Sequence, residues 1–447
     1  MNAIDPVRDA AIDVLSRVWE KGAHLDVSLD ITLRRRGAGF SARGKRFLSH
    51  LCYQACRWRR LADYVLSAAC EQPLDRLPVP ILIILRLAVI QMYFSGTVHR
   101  AAAVSTSVDL ARKRGHAGLA RLVNAVLRRV PPDLASVSFP DAERQPVEYL
   151  RLRWSLPRWM VRLWVEQFGL ETAARLCEQV NREAPLFLRI RPGSSTEESL
   201  VRQLERHGCR VTPWPVLPGF LRVETARDLA ALPPLRAGAC RVQNPASSLP
   251  PRLLDPRPGE RILDLCAAPG TKTLELCDLG DGDLSVVALD PDPGRLNRVR
   301  SVLELTGETR AIAVLGDGIF PPFPPRSFDA VLVDAPCSGL GTLRHNPDIR
   351  DRLQASDLDR MAGLQRSLLR SAAALCKNGG RIVYSVCTFT PQETRDIAAY
   401  AVSELSLEPE AGPELLEPWK TGTGHYQIHP LDEALDGFFL MRFRKRS

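Results

Sequence analysis

"RILDLCAAPGTKTLEL", residues 261 to 276, reads as an apolar strand that breaks into a turn of small residues and restarts as a helix. Working outward, the same succession recurs. "SVVALD" (285–290), "AIAVLG" (311–316), "DAVLVDA" (329–335) and "RIVYSVC" (381–387) are further apolar runs, and helical patterns over about 272–279, 292–306, 355–376 and 391–403 separate most of them. Near-continuous apolar strands alternating with helices predict a parallel sheet covered on both faces. In such folds ligands bind at the carboxyl ends of the strands, where Asp264, Asp290, Asp334 and Cys387 all fall.

The turn itself narrows the ligand. Cys266, Ala267, Ala268, Pro269 and Gly270 are small or compact, so a ligand can approach the backbone, and the helix start at Thr271 and Lys272 offers free N–H donors to a carboxylate. The glycine fingerprints of dinucleotide and triphosphate sites are both absent from this turn. Asp290, ending the next strand, suits a pair of ribose hydroxyls, and Asp317 of "GDG" (316–318), ending the third, suits an adenine amino group. The set suits an adenosine that carries an amino acid, namely S-adenosylmethionine.

The rest of the chain differs in kind. Residues 5 to 130 read as helices, the first running from the cap Asp5 and Pro6 to Gly22, with others over about 42–69, 78–94, 99–115 and 117–130. The polar, proline-bearing "PPDLASVSFPDAERQP" (131–146) reads as a linker. Strand-like "LFLRI" (186–190), "CRVTPW" (209–214) and "FLRVE" (220–224), with a helix over about 195–207, form a small α+β module. We therefore expect a multidomain α and α/β chain: an all-α domain over 1–135, the small module over 147–235, and a Rossmann-like domain over 236–447.

Charge is uneven. The chain carries 60 Lys and Arg against 51 Asp and Glu, and residues 1–160 hold 25 of those cations but only 14 of the acids. Arg-rich runs at 33–46, 57–60, 112–114 and 128–129 suit phosphate neutralisation, or simply the solvation of helical surfaces. Eleven cysteines without a C-x-x-C pair argue against a disulfide framework or a zinc site, and no metal is expected. No apolar stretch of about 18 uncharged residues is present, since Arg86 interrupts "PVPILIILRLAVIQMYF" (78–94). With no signal-peptide pattern at the start, a cytoplasmic protein without membrane association is expected.

Taken together, "DLCAAPGTKT", "LDPDPGRL", "GDG", "DAPCSGLGTLRHNPDIR", "YSVCTF" and "DGFFLMRF" resemble the motif series of RNA 5-methylcytosine methyltransferases of the Sun/NOL/NOP2 family. "FLSHLCYQACRWRR" and residues 101–130 are similar to the NusB antitermination fold, making the first domain NusB-like. That domain order resembles bacterial enzymes that methylate cytosine in small-subunit (16S) ribosomal RNA, so this RNA is the implied partner. Departures from the pattern are Thr271 for a second glycine, Asn244 for an aspartate, and Val386 for a threonine.

Carbon 5 of cytosine is a weak nucleophile, and a thiolate added at carbon 6 activates it before departing again. Asp334 is the candidate acid near the ring N3. Position alone leaves two thiols, Cys337 of the Pro-Cys pair and Cys387 at the later strand end. The Pro-Cys thiol attacks in DNA cytosine methyltransferases. Resemblance to the RNA family implies that Cys387 attacks while Cys337 assists release. It also implies that Cys266 to Lys272, Asp290, Asp317 and Asp334 hold the cofactor. Arg344, His345 and Arg350 suit a ribose-phosphate backbone. A transfer-RNA or DNA enzyme, or an inert RNA-binding scaffold, are the alternatives.

Overall fold

The computed structural model describes residues 5–446 apart from 97, 227, 228, 423 and 432–434. The chain divides into two compact units, one of residues up to 182 with 343–355, the other of 183–342 with the chain from 356 onward.

In the first unit the helices are α1 (Pro6–Lys21), α2 (Leu25–Arg36), α3 (Ala42–Ala69), α4 (Val79–Phe94), α5 (Arg100–Arg114), α6 (Ala117–Arg129), α7 (Pro146–Arg153), α8 (Arg158–Phe168) and α9 (Leu170–Gln179). Asp5 caps α1 by accepting from Val7 N at 2.9 Å and Arg8 N at 3.1 Å, with Pro6 at the first helical position as expected. The apolar α4 is a core helix, and its Arg86 is bonded in a fork to Asp63 at 2.6 and 2.9 Å. Helix α2 falls between the segments expected to be helical. Its last arginine, Arg36, joins Lys113 and Arg114 on the buried carboxylate of Asp9. Burial alone lifts Asp9, yet hydrogen bonds from these three cations hold it below the usual carboxylate range. Part of the basic sequence is thus spent inside the fold.

Helices α7–α9, expected to open a module over 147–235, belong to the first unit. One reason is Ser155, whose hydroxyl accepts from the backbone N–H groups of Arg60 and Leu61 in α3 at 3.0 and 3.2 Å.

The second unit opens with β1 (Leu186–Ile190), α10 (Glu197–Arg206), β2 (Arg210–Pro213), β3 (Phe220–Thr225), α11 (Pro233–Arg236) and β4 (Cys240–Val242), forming an antiparallel sheet of order β2-β3-β1-β4. Then follow α12 (Leu249–Leu254), β5 (Arg261–Asp264), α13 (Thr271–Leu279), β6 (Ser285–Asp290), α14 (Pro293–Thr306), β7 (Ala311–Leu315) and β8 (Phe328–Asp334). Past Thr342 the chain enters the first unit, forms the short α15 (Ile349–Arg352), and returns as α16 (Asp357–Leu375), β9 (Cys376–Val386), α17 (Arg395–Glu404), β10 (Leu407–Pro409), β11 (Tyr426–Ile428) and β12 (Phe438–Lys445).

The large sheet runs β10-β12-β9-β8-β5-β6-β7, with β11 on β12. Strands β9, β8, β5, β6 and β7 are parallel, as expected. The sheet as a whole is mixed, because β12 lies antiparallel to β9, β10 and β11. Residues 438–443 of β12 are buried without interruption, so no alternation marks them as a strand in the sequence. Strand order reverses between β5 and β8, which places a crevice at their carboxyl ends.

Candidate active site

Between β5 and α13 the chain makes the turn that the small residues allow. Gly270 stands at φ +100°, and a Cβ there would come within 3.0 Å of the Val299 backbone, so conformation and space both require glycine. Ala267 N donates to Leu289 O at 2.9 Å and fastens the turn to β6. Asp290, buried at the end of β6, accepts from Ala268 N at 3.3 Å and Asp292 N at 3.0 Å. Arg295 also serves this turn, its guanidinium lying 3.5 Å from Asp290 and 3.3 Å from Ala268 O. Asp317 is exposed and accepts from Ile319 N at 2.9 Å.

Asp264 is wholly buried and accepts from the Thr273 hydroxyl through Oδ2 at 2.7 Å, while Oδ1 has no partner. Burial pushes its pKa up to about 7, the Asp334 charge adding to the rise and the Thr273 hydrogen bond opposing it. A buried acceptor without a donor in the protein is a place where a ligand or water completes the bond. With the glycine cradle at 270 and the acid of Asp290, it fits a polar cofactor at this turn.

Asp334 is occupied on both oxygens. Lys272 Nζ lies 2.6 Å from Oδ2, and the Ser385 hydroxyl donates to Oδ1 at 2.7 Å. The same ammonium sits 5.7 Å from the Phe438 ring centroid and interacts electrostatically with the Cys387 sulfur. Desolvation would lower the Lys272 pKa, but Asp334 outweighs it and the net shift is upward. The structure therefore gives Lys272 a carboxylate partner in Asp334.

The two thiols, 50 residues apart in sequence, meet with their sulfurs 3.3 Å apart. The Cys337 thiol is held well above its ordinary pKa by the hydrogen bond with Cys387, then by burial, then by the neighbouring charges of Cys387 and Glu393. The motif segments around them also touch through backbone: Gly341 N donates to Cys387 O at 3.0 Å and Gly437 N to Gly341 O at 2.9 Å. A Cβ on Gly341 would fall 2.0 Å from Gly437 O. Cys52 and Cys56, by contrast, are core residues with thiols raised by burial.

Arg344 and Arg350 depart from the expectation of RNA contacts, whereas His345 is half-buried. Arg344 is buried and its carbonyl accepts from Arg57 at 2.8 Å. Arg350 is fully enclosed, donating to Arg57 O at 3.0 Å, Asn181 Oδ1 at 2.8 Å and Val180 O at 2.8 Å. Its guanidinium thus has protein acceptors in place of phosphates.

The family described as 16S rRNA methyltransferase RsmB/F matches residues 251–444, the NusB family residues 5–131, and the RsmF/B-like ferredoxin-like domain residues 156–230. A Thermus thermophilus protein named ribosomal RNA small subunit methyltransferase B is 34% identical over 445 residues, covering 98% of this chain and 97% of the relative. A Bacillus subtilis protein named probable ribosomal RNA small subunit methyltransferase B is 30% identical over 450 residues and covers 99% of each chain. The chain belongs to the ribosomal RNA small subunit methyltransferase B family. The crystal structure of PH0851 shares the fold over 99% of both chains, with a TM-score of 0.82 at 24% identity.

Within this methyltransferase family assignment, two groups stand beside the predicted residues without having been singled out as site residues. Ser385 precedes Cys387 by two positions, and period-2 spacing on β9 was a signal that could have found it. Glu393 lies in "TFTPQE", beyond the quoted motif, with no local pattern to mark it. Among the described residues no cluster of three or more His, Cys, Asp or Glu is arranged to hold a metal ion.

Proposed function

We propose that the chain forms 5-methylcytosine in small-subunit ribosomal RNA through a covalent bond between Cys387 and cytosine carbon 6. Family membership makes it an S-adenosylmethionine-dependent ribosomal RNA methyltransferase. The observation that carries the finer reading is the contact of the Cys337 and Cys387 sulfurs in the same strand-end group as the Lys272–Asp334 pair.

Cys387 adds as thiolate to carbon 6, forming the C–S bond and moving the ring double-bond electrons toward carbon 5, while the Lys272–Asp334 pair supplies a proton to N3. When bound, S-adenosylmethionine supplies the electrophilic methyl group. Cys337 assists removal of the carbon 5 proton, after which the C–S bond breaks, Cys387 leaves as thiolate and N3 returns its proton to the Lys272–Asp334 pair. Cys266 to Lys272, Asp290, Asp317 and Asp334 hold the cofactor. A cytosine must leave its stack to reach two thiols at strand ends, so opened or single-stranded RNA is the substrate form. The division into a NusB-like RNA-binding domain, a small module and a catalytic domain is part of this reading. Among the described residues no helix is long and apolar enough to cross a membrane, and a cytoplasmic site of action is part of this reading.

The test is a denaturing gel with labelled RNA and cofactor. Cys387→Ala should give no shifted band and no methyl transfer. Cys337→Ala should methylate once and remain as a covalent protein–RNA complex. A band from Cys387→Ala and none from Cys337→Ala would reverse the two roles.

A further inference from the structure

Glu393 grips both thiol loops. Its side chain is fully buried. Oε1 accepts from Ser338 N, the residue after Cys337, at 2.8 Å and from Gln365 Nε2 at 3.0 Å, while Oε2 accepts from Thr390 Oγ1 at 2.8 Å. Gln365 also donates to Pro336 O at 3.0 Å, so α16 holds the Pro-Cys turn from the other side. The Glu393 carbonyl takes the Tyr384 hydroxyl at 2.7 Å, tying the same residue to β9. Ser338 and Thr388 hydroxyls close the bridge at 2.8 Å. An anion without solvent is costly unless it is hydrogen-bonded, as it is here by these three donors, and neutral residues could have filled the same space.

We propose that Glu393 is a positioning residue of the methyl-transfer site, its carboxylate fastening the Pro336–Gly339 turn to the loop that carries Cys387 and so setting the approach of the two sulfurs. The inference rests on the reading of these thiols given above. Besides burial, the groups that act on the charge of Cys337 are Cys387 and Glu393, with the Gly339 backbone opposing them, and Cys337 in turn adds to the rise of the Tyr384 hydroxyl. Glu393 thereby acts on Cys337 by charge as well as by place. Removing the charge while keeping the shape should let the Cys337 thiol ionise at lower pH.

The experiment is residue-resolved iodoacetamide labelling of the full chain, followed against pH by mass spectrometry. Glu393→Gln should speed labelling of Cys337 at pH 8 by about threefold or more, as a downward pKa shift of half a unit or so would give, with Cys277 and Cys376 unchanged. Thr390→Val, which removes one donor and loosens the carboxylate, should give a smaller rise and serves if Glu393→Gln does not fold. Unchanged Cys337 labelling, or an equal rise at Cys277 and Cys376 that reports general loosening, would overturn the proposal. Glu393→Gln should also accumulate the covalent RNA complex. If labelling shifts but no complex forms in either Glu393→Gln or Cys337→Ala, the positioning role stands and the role of Cys337 in release falls.

Discussion

The turn at 265–272 and the strap at 343–355 both follow a strand end of the large sheet in sequence, and both carry residues suited to a ligand, yet they do different work. At the turn, acceptors are left over: Asp264 Oδ1 is buried without a donor. On the strap, the guanidinium of Arg350 spends donors on two carbonyls and an amide of its own chain, and Asp351 is held by Arg60 at 2.6 Å. A polar residue signals a ligand only when its hydrogen-bonding capacity exceeds what the protein supplies. Arg350 keeps only its Nε without an acceptor, and its other two nitrogens are taken by its own chain, so the strap is a clasp inside the helical unit, whereas the open acceptor of Asp264 leaves the turn able to take a ligand.

The largest effect should come from breaking the clasp. Arg350→Ala strands the carbonyls of Arg57 and Val180 and leaves a cavity, and should destabilise the helical unit by about 3 to 5 kcal/mol. Arg350→Lys should not restore it, because an ammonium cannot reproduce the planar fork. The measurement is thermal unfolding. An unchanged melting temperature with reduced RNA affinity would make the strap an RNA contact after all and erase the contrast.

The turn should respond in ligand binding. Asp290→Ala should weaken S-adenosylmethionine binding by about 1 to 3 kcal/mol, the cost of leaving donors without their charged acceptor. Calorimetry showing equal affinity would take Asp290 out of the cofactor site.

A smaller effect separates the two regions by pH. With its pKa raised to about 7, Asp264 holds a proton in the folded chain that the unfolded chain has already released. The stabilisation from this protonated form is complete below about pH 4 and is lost as pH rises through about 7. Asp264→Asn mimics the protonated acid. Without cofactor it should raise the melting temperature at pH 8 by roughly 2 to 4 °C and change it little near pH 4. An equal shift at both pH values would mean that Asp264 does not titrate in this window.

Much of this was readable in advance for local reasons. The parallel core strands β5 to β9 announce themselves as short apolar runs between helices, and the acids at their ends follow from where such strands terminate. The same local signals failed for α2, whose apolar Leu25, Val27, Leu29, Ile31 and Leu33 recur at every second residue instead of at helical spacing, and for β12, an apolar run that no helix directly precedes. The Pro-Cys and later cysteines were both visible as motifs, but Glu393 was not, because its importance comes from partners at 338 and 365 rather than from its neighbours.

What the sequence determined by itself was the family, the succession of strands and helices, and which two thiols and which acid stand at strand ends, since these rest on residue type and spacing along the chain. Tertiary structure alone decided that the sulfurs meet at 3.3 Å, that Lys272 pairs with Asp334, and that Arg36, Lys113 and Arg114 serve Asp9. It also decided that Arg350 is buried. The physical reason is that charge and hydrogen-bonding demands are met by whatever group lies nearest in space, hundreds of positions away along the chain in the case of Arg350. Arg350 and Arg57, 293 residues apart, are bonded to each other's part of the chain.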